Sequence, residues 1–229
     1  MALDDLRSVG ILGGTFNPPH LGHIALARSA REQLGLERVL LMPASSAPNK
    51  PADPDPGPAL RLRMCQLAVG ETEKLSACAL EVERGGASYT VDTLQAIHER
   101  SPRTELTLIL GADTARTLAD WREPERLLEL ARLAVAERQG CGREEVVRAL
   151  SALRGTVPGR APGEGPVAGE WLPAGERLIF LAMGRIEISS SMVRRRVASG
   201  ERVDELVGSA VASYITEHGL YREPVQAAP

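Results

Sequence analysis

The chain has 229 residues, of which 43% are hydrophobic and 25% charged, with a net charge of -3. That suits one large α/β domain, and the weakly acidic balance gives no reason to expect nucleic acid or a membrane surface as partner, since these usually need a basic patch. No apolar run nears the ~20 residues of a membrane span, the acidic opening fits no signal peptide, and Cys65, Cys78 and Cys141 are too scattered for zinc or a disulfide framework; a cytoplasmic protein is expected.

Taken in order, the first predicted strand is Val9-Gly10-Ile11-Leu12. It runs straight into Gly13-Gly14-Thr15-Phe16-Asn17-Pro18-Pro19-His20-Leu21-Gly22-His23. Adjacent glycines lack a Cβ, so a bulky ligand can press on the backbone there. A helix entrance offers unpaired N–H groups and the positive end of the macrodipole, and imidazoles three residues apart share one face. These features describe a polyphosphate cradle. A helix is predicted over 21–34, stopped by Gly35, then a strand over 39–42 ended by Pro43. This βαβ unit puts the loops after both strands at the edge where open α/β sheets bind ligands.

Residues 44–58 read as a loop whose only cation is Lys50, which a solvated surface lysine would also explain. A helix over 59–69 and a strand over 75–82 follow. In Ser88-Tyr89-Thr90-Val91-Asp92-Thr93-Leu94, Ser88 or Thr90 can cap a helix running to Glu99. Leu106 to Leu110 is the clearest central strand, ending at Gly111-Ala112-Asp113. Asp113 there is either a ligand-edge acid or an N-cap. Trp121 lies in a segment interrupted by Pro124. A strand over 133–136 leads to Glu137-Arg138-Gln139-Gly140, then a helix over 143–153. Residues 155–175 form a glycine- and proline-rich excursion without periodicity, and 178–181 is the last strand. In Ile188-Ser189-Ser190-Ser191-Met192-Val193-Arg194, a helix starting among the serines would aim N–H groups at an anion while Arg194 clamps a phosphate. The alternative is a capped helix with a basic solvent face. A helix over 208–218 ends at Gly219, Leu220-Tyr221 packs back, and 223–229 is an expected disordered tail. The alternation predicts a Rossmann-like, doubly wound parallel sheet with helices on both faces, one domain over 1–222 whose C-terminal part, from about 188, is helical. The dinucleotide and P-loop glycine fingerprints are both absent.

The 13–23 segment, with His-x-Gly-His at its core, resembles the first signature of the nucleotidyltransferase superfamily, and the 188–194 segment resembles its second. Within it, the 88–94 segment, Gly111-Ala112-Asp113, Trp121 and the closing Tyr214-Ile215-x-x-His218-x-Leu220-Tyr221 are similar to bacterial nicotinate-nucleotide adenylyltransferases. The resemblance implies AMP transfer from ATP to nicotinate mononucleotide, giving deamido-NAD and pyrophosphate. It assigns Gly13, Gly14, Thr15, Phe16, His20, His23, Ser190, Ser191 and Arg194 to ATP, with His20, His23 and Arg194 catalytic. Lys50, Ser88, Tyr89, Thr90, Gly111, Asp113, Trp121 and Arg138 fall to the mononucleotide. Mg²⁺ is expected to arrive with ATP, with no metal ligands on the protein. ATP and nicotinate mononucleotide are the implied partners, with no nucleic acid or membrane and with room for a homo-oligomer. The sequence departs from the family at Asn49, where a histidine is usual, and at Gln139 and Gly208, where prolines are. A nicotinamide-mononucleotide or pantetheine-phosphate adenylyltransferase, or a non-catalytic nucleotide sensor, are the alternatives.

Overall fold

Apolar runs separated by amphipathic stretches can bury themselves only as strands sandwiched between helices, and a computed structural model of the chain shows that outcome. It describes residues 6–48, 54–70, 72, 74–136, 143–151, 153, 177–184 and 186–222. The strands are β1 (Ser8–Gly14), β2 (Arg38–Pro43), β3 (Leu75–Ala77), β4 (Glu105–Gly111), β5 (Ala131–Ala136) and β6 (Leu178–Leu181). All pairings are parallel, in the order β3-β2-β1-β4-β5-β6. The doubly wound sheet expected from the sequence is what forms.

Helices cover both faces. Against one lie α1 (Leu21–Leu34) and α2 (Pro58–Val69), packing Ile24, Ala27 and Cys65 on Leu12, Val39, Leu41 and Ile109. Against the other lie α4 (Thr90–Arg100), α6 (Pro124–Leu130) and α7 (Arg143–Ser151), with Leu94, Ile97, Leu127 and Val146 on Val9, Ile11, Leu108 and Leu133. Short helices α3 (Leu80–Arg84) and α5 (Ala112–Ala115) and a 3₁₀ turn (Leu118–Asp120) fill connections. A third core joins α8 (Ser190–Ala198), α9 (Asp204–Val207) and α10 (Ser209–Glu217) to Met64 of α2. Gly35, in the left-handed conformation at φ 62°, stops α1 as predicted.

Two predictions need correction. The strand expected over 75–82 ends at Ala77, and α3 follows. On the edge facing β3, Val39 N donates to Lys74 O and Leu41 O accepts from Cys78 N. The next residue on that side is Pro43, which has no N–H, so the ladder stops. Pro124, read as an interruption, is the first residue of α6, where a missing N–H costs nothing. The sequence also gave no signal for α9, a single turn.

The strand order reverses between β1 and β4. Their pairing ends at Ile11–Leu108, although β1 continues to Gly14 and β4 to Gly111, each still paired with its other neighbour. The sheet therefore parts at its C-terminal edge between these two strands, the crevice in which doubly wound sheets take ligands.

Candidate active site

The crevice is walled by the turn between β1 and α1. Gly13 is exposed, and a Cβ there would meet nothing within 4 Å, so the backbone edge is open to a ligand. At Gly14 a Cβ would press on the Phe16 ring at 3.3 Å. Phe16 is buried with φ 51° and sets its edge against His23, centroids 4.9 Å apart.

His20 is the N-cap of α1, and its ring stacks on that of His23, centroids 3.6 Å apart and 25° from parallel. Gly22 makes room for this, because a Cβ there would lie 3.0 Å from His20 Nδ1. His20 N donates to His23 Nδ1 at 3.2 Å. That nitrogen is therefore an acceptor, and the neutral ring carries its proton on Nε2. Burial pushes the His20 pKa down to about 4. It holds His23 well below the ordinary value too, with the His20 charge opposing in addition. His20 Nδ1 is buried and has no hydrogen-bond partner among the described residues. Two neutral, desolvated imidazoles thus stand stacked at the head of α1.

Helix α8 is bound to the same turn. Ser189 caps it by accepting from Met192 N at 3.2 Å, Ser190 Oγ donates to Pro18 O at 2.7 Å, and Arg194 Nη1 donates to Asn17 O at 2.7 Å. Ser189 and Ser191 Oγ lie 3.0 Å apart, with Ser191 exposed. The fold thus brings both signatures together, with part of Ser190 and Arg194 spent on carbonyls of the 17–18 turn.

A second group gathers beyond the loop after β2. Ser88 does not cap α4: Tyr89 is the N-cap residue, Thr90 opens the helix, and Ser88 Oγ accepts from Ser45 N at 2.9 Å. The Arg122 guanidinium lies over the Tyr89 ring at 4.9 Å and pairs with Asp92 at 3.4 Å, which brings the segment of Trp121 beside that of Tyr89. Trp121 is half-buried, its Nε1 donating to Thr117 Oγ1 at 3.3 Å. Gly111 is the N-cap of α5, not Asp113, which is exposed at the end of β4 and pairs with Arg116 at 3.3 Å. Lys50 and Arg138, like Asn49, Gln139 and residues 155–175, lie outside the described residues.

The comparisons with known proteins bear on this arrangement. A cytidylyltransferase-like family model matches residues 11–196. A Roseiflexus sp. (strain RS-1) protein described as a probable nicotinate-nucleotide adenylyltransferase is 40% identical over 93% of this chain and 98% of its own. The chain belongs to the nicotinate-nucleotide adenylyltransferase family. A Synechococcus sp. (strain JA-2-3B'a(2-13)) relative of the same description is 34% identical over 95% of this chain and 98% of its own. The fold matches the Plasmodium falciparum nicotinic acid mononucleotide adenylyltransferase solved with NaAD, with a TM-score of 0.70, 16% identity, and 94% and 97% of the two chains covered.

This member of the family uses residues the sequence reading missed. Arg61 is 1% exposed and donates to Thr15 O and Ala44 O at 2.7 Å, Ser45 O at 3.0 Å and Asp55 Oδ1 at 2.9 Å. Through Ser45 and Ser88 it ties the turn after β1 to the start of α4. The available signal was a cation three and four residues before Met64 and Cys65, on the buried stripe of α2.

Proposed function

We propose that the protein transfers the adenylyl group of ATP to nicotinate mononucleotide, giving deamido-NAD and pyrophosphate in NAD biosynthesis. One observation carries the chemistry: the stacked, neutral His20–His23 pair at the head of α1, with the N-terminus of α8 held against the same turn at the sheet's crevice. The curated relatives support the choice of substrates.

The mononucleotide 5′-phosphate attacks the α-phosphorus of ATP in line. One P–O bond forms there, the bond to the β-phosphate bridging oxygen breaks, and pyrophosphate departs with that electron pair. The nucleophile is already anionic, so no general base and no covalent protein intermediate are required. The protein's task is to hold two anions together and to spread the charge of the pentavalent centre. His23 Nε2–H donates to a phosphate oxygen, and the triphosphate's charge favours the protonated form of both imidazoles, offsetting the desolvation that opposes it. Backbone N–H groups from Gly13 to Phe16 and at the start of α8, with Ser190, Ser191 and the remaining N–H groups of Arg194, receive the triphosphate and the leaving pyrophosphate.

On the other side, Trp121 stacks on the pyridine ring, and backbone near Thr90 meets the carboxylate. Tyr89, Ser88 and Gly111 shape that pocket and Asp113 takes the ribose, while the resemblance assigns Lys50 and Arg138 to the mononucleotide as well. Mg²⁺ would arrive with the nucleotide: Asp113 is the one carboxylate given a role in the pocket, and no three His, Cys, Asp or Glu cluster among the described residues. A lone carboxylate does not make a protein-held Mg²⁺ site, and an ion carried in by ATP would supply neutralisation of phosphate charge.

The test is pyrophosphate release from ATP with nicotinate mononucleotide, nicotinamide mononucleotide and phosphopantetheine in parallel. Fastest release with the first is expected. Preference for either of the others would overturn the assignment.

A further inference from the structure

The turn that delivers His20 is gripped from several sides, and one grip comes from Tyr221, 204 positions along the chain from Asn17. Asn17 is 2% exposed, and each of its polar ends is engaged. Its backbone carbonyl accepts from Arg194 Nη1 at 2.7 Å. Its Nδ2 donates to Pro54 O at 2.8 Å, and its Oδ1 accepts from the Tyr221 hydroxyl at 2.7 Å. The carbonyl of the next residue, Pro18, accepts from Ser190, and two residues later the chain reaches His20.

Tyr221 is itself unusual. It is 6% exposed and packed in the third core, yet it sits at φ 62°, a left-handed conformation that strains any residue with a Cβ. Such an outlier persists only where its surroundings over-determine it, and it tends to mark a functional constraint. Its phenol is buried beside Asp55, which keeps it protonated and so a permanent donor. The bond to Asn17 spans 204 positions of sequence and ties the third core to the head of α1. Without that donor, Asn17 Oδ1 is a buried acceptor with no phenol to meet. Turning the carboxamide over offers no remedy, because it would set Oδ1 against Pro54 O, so the loss falls on the hold over the turn.

We propose that Tyr221 is a positioning residue for adenylyl transfer: through Asn17 it fixes the turn that sets the His20–His23 pair. The proposal rests on the function given above, and its test keeps the two separable. Tyr221→Phe retains the ring and deletes only the hydroxyl. In the full chain, kcat is expected to fall about tenfold, with KM for the mononucleotide within about twofold of wild type. In a His23→Ala background the same change is expected to alter kcat by less than about twofold, because the pair it positions is already broken. The chain has four histidines, so the imidazole NMR signals give a readout independent of turnover. Those of His20 and His23 should move in Tyr221→Phe, while that of His98, on α4, stays. Unmoved His20 and His23 signals, or an equal tenfold loss in the His23→Ala background, would overturn the proposal. If the wild type transfers no adenylyl group, the function fails while the NMR comparison still decides the role of Tyr221.

Discussion

The buried histidine pair makes a quantitative prediction about acid stability. An unfolded histidine titrates near 6.5, whereas His20 in the fold titrates at about 4. Above pH 6.5 both states are neutral and the group adds no pH dependence. Between 6.5 and about 4 the unfolded chain binds a proton that the folded chain refuses, so stability must fall as pH falls. The slope approaches about 1.36 kcal/mol per pH unit over that window, which totals about 3 kcal/mol for His20. His23 is shifted in the same direction and adds to the loss. The perturbation is His20→Gln, which fills a similar volume and cannot titrate. Chemical denaturation at steps from pH 7.5 to 4.5 should show the wild type losing stability more steeply than the variant, the curves separating below pH 6.5. Parallel curves would mean that His20 is not held neutral, and the picture of desolvated donors awaiting an anion would fail. Saturating ATP should flatten the wild-type loss, since the triphosphate stabilises the charged rings.

Other substitutions probe separate parts of the site. His23→Ala should lower turnover by ~10²-fold or more, the scale for one preorganised transition-state donor, and near-normal turnover in a folded variant would remove it from the mechanism. Trp121→Ala should raise KM for the mononucleotide about tenfold and leave that for ATP nearly unchanged, as expected for one lost ring stack; equal changes would contradict the stacking role. Arg61→Leu strips a buried guanidinium from three carbonyls and Asp55 and should cost about 3 kcal/mol or more in urea unfolding, and a loss under about 1 kcal/mol would show that the bracing is dispensable.

Much of this was legible because the local signals agreed. The run up to Leu12, the stop at Gly35 and the apolar 39–42 stretch each point to one element, and the structure forms β1, α1 and β2 there. Signals failed where a tertiary partner decided. Leu75 to Val82 alternates well enough for a strand, but its length was set by Pro43 on β2. Ser88 looked like a helix cap, yet its hydroxyl serves Ser45 N. The two signatures could be matched as strings, but not the way Ser190 and Arg194 grip carbonyls of the first. Arg61 stood in plain view on the apolar stripe of α2, and the four acceptors converging on it belong to loops that no periodicity describes. Tyr221 was expected to pack back, which it does; that it reaches Asn17 depends on a left-handed φ at Tyr221 itself, which the glycine at 219 does not announce.

The central claim is that two nucleotides are joined across the crevice between β1 and β4. It is tested most directly by following one reaction of the wild type for both products at once. With ATP and nicotinate mononucleotide, deamido-NAD and pyrophosphate should appear together in equal amounts, and neither should form when the mononucleotide is left out. Pyrophosphate released without deamido-NAD, or no turnover with both substrates at saturation, would contradict it.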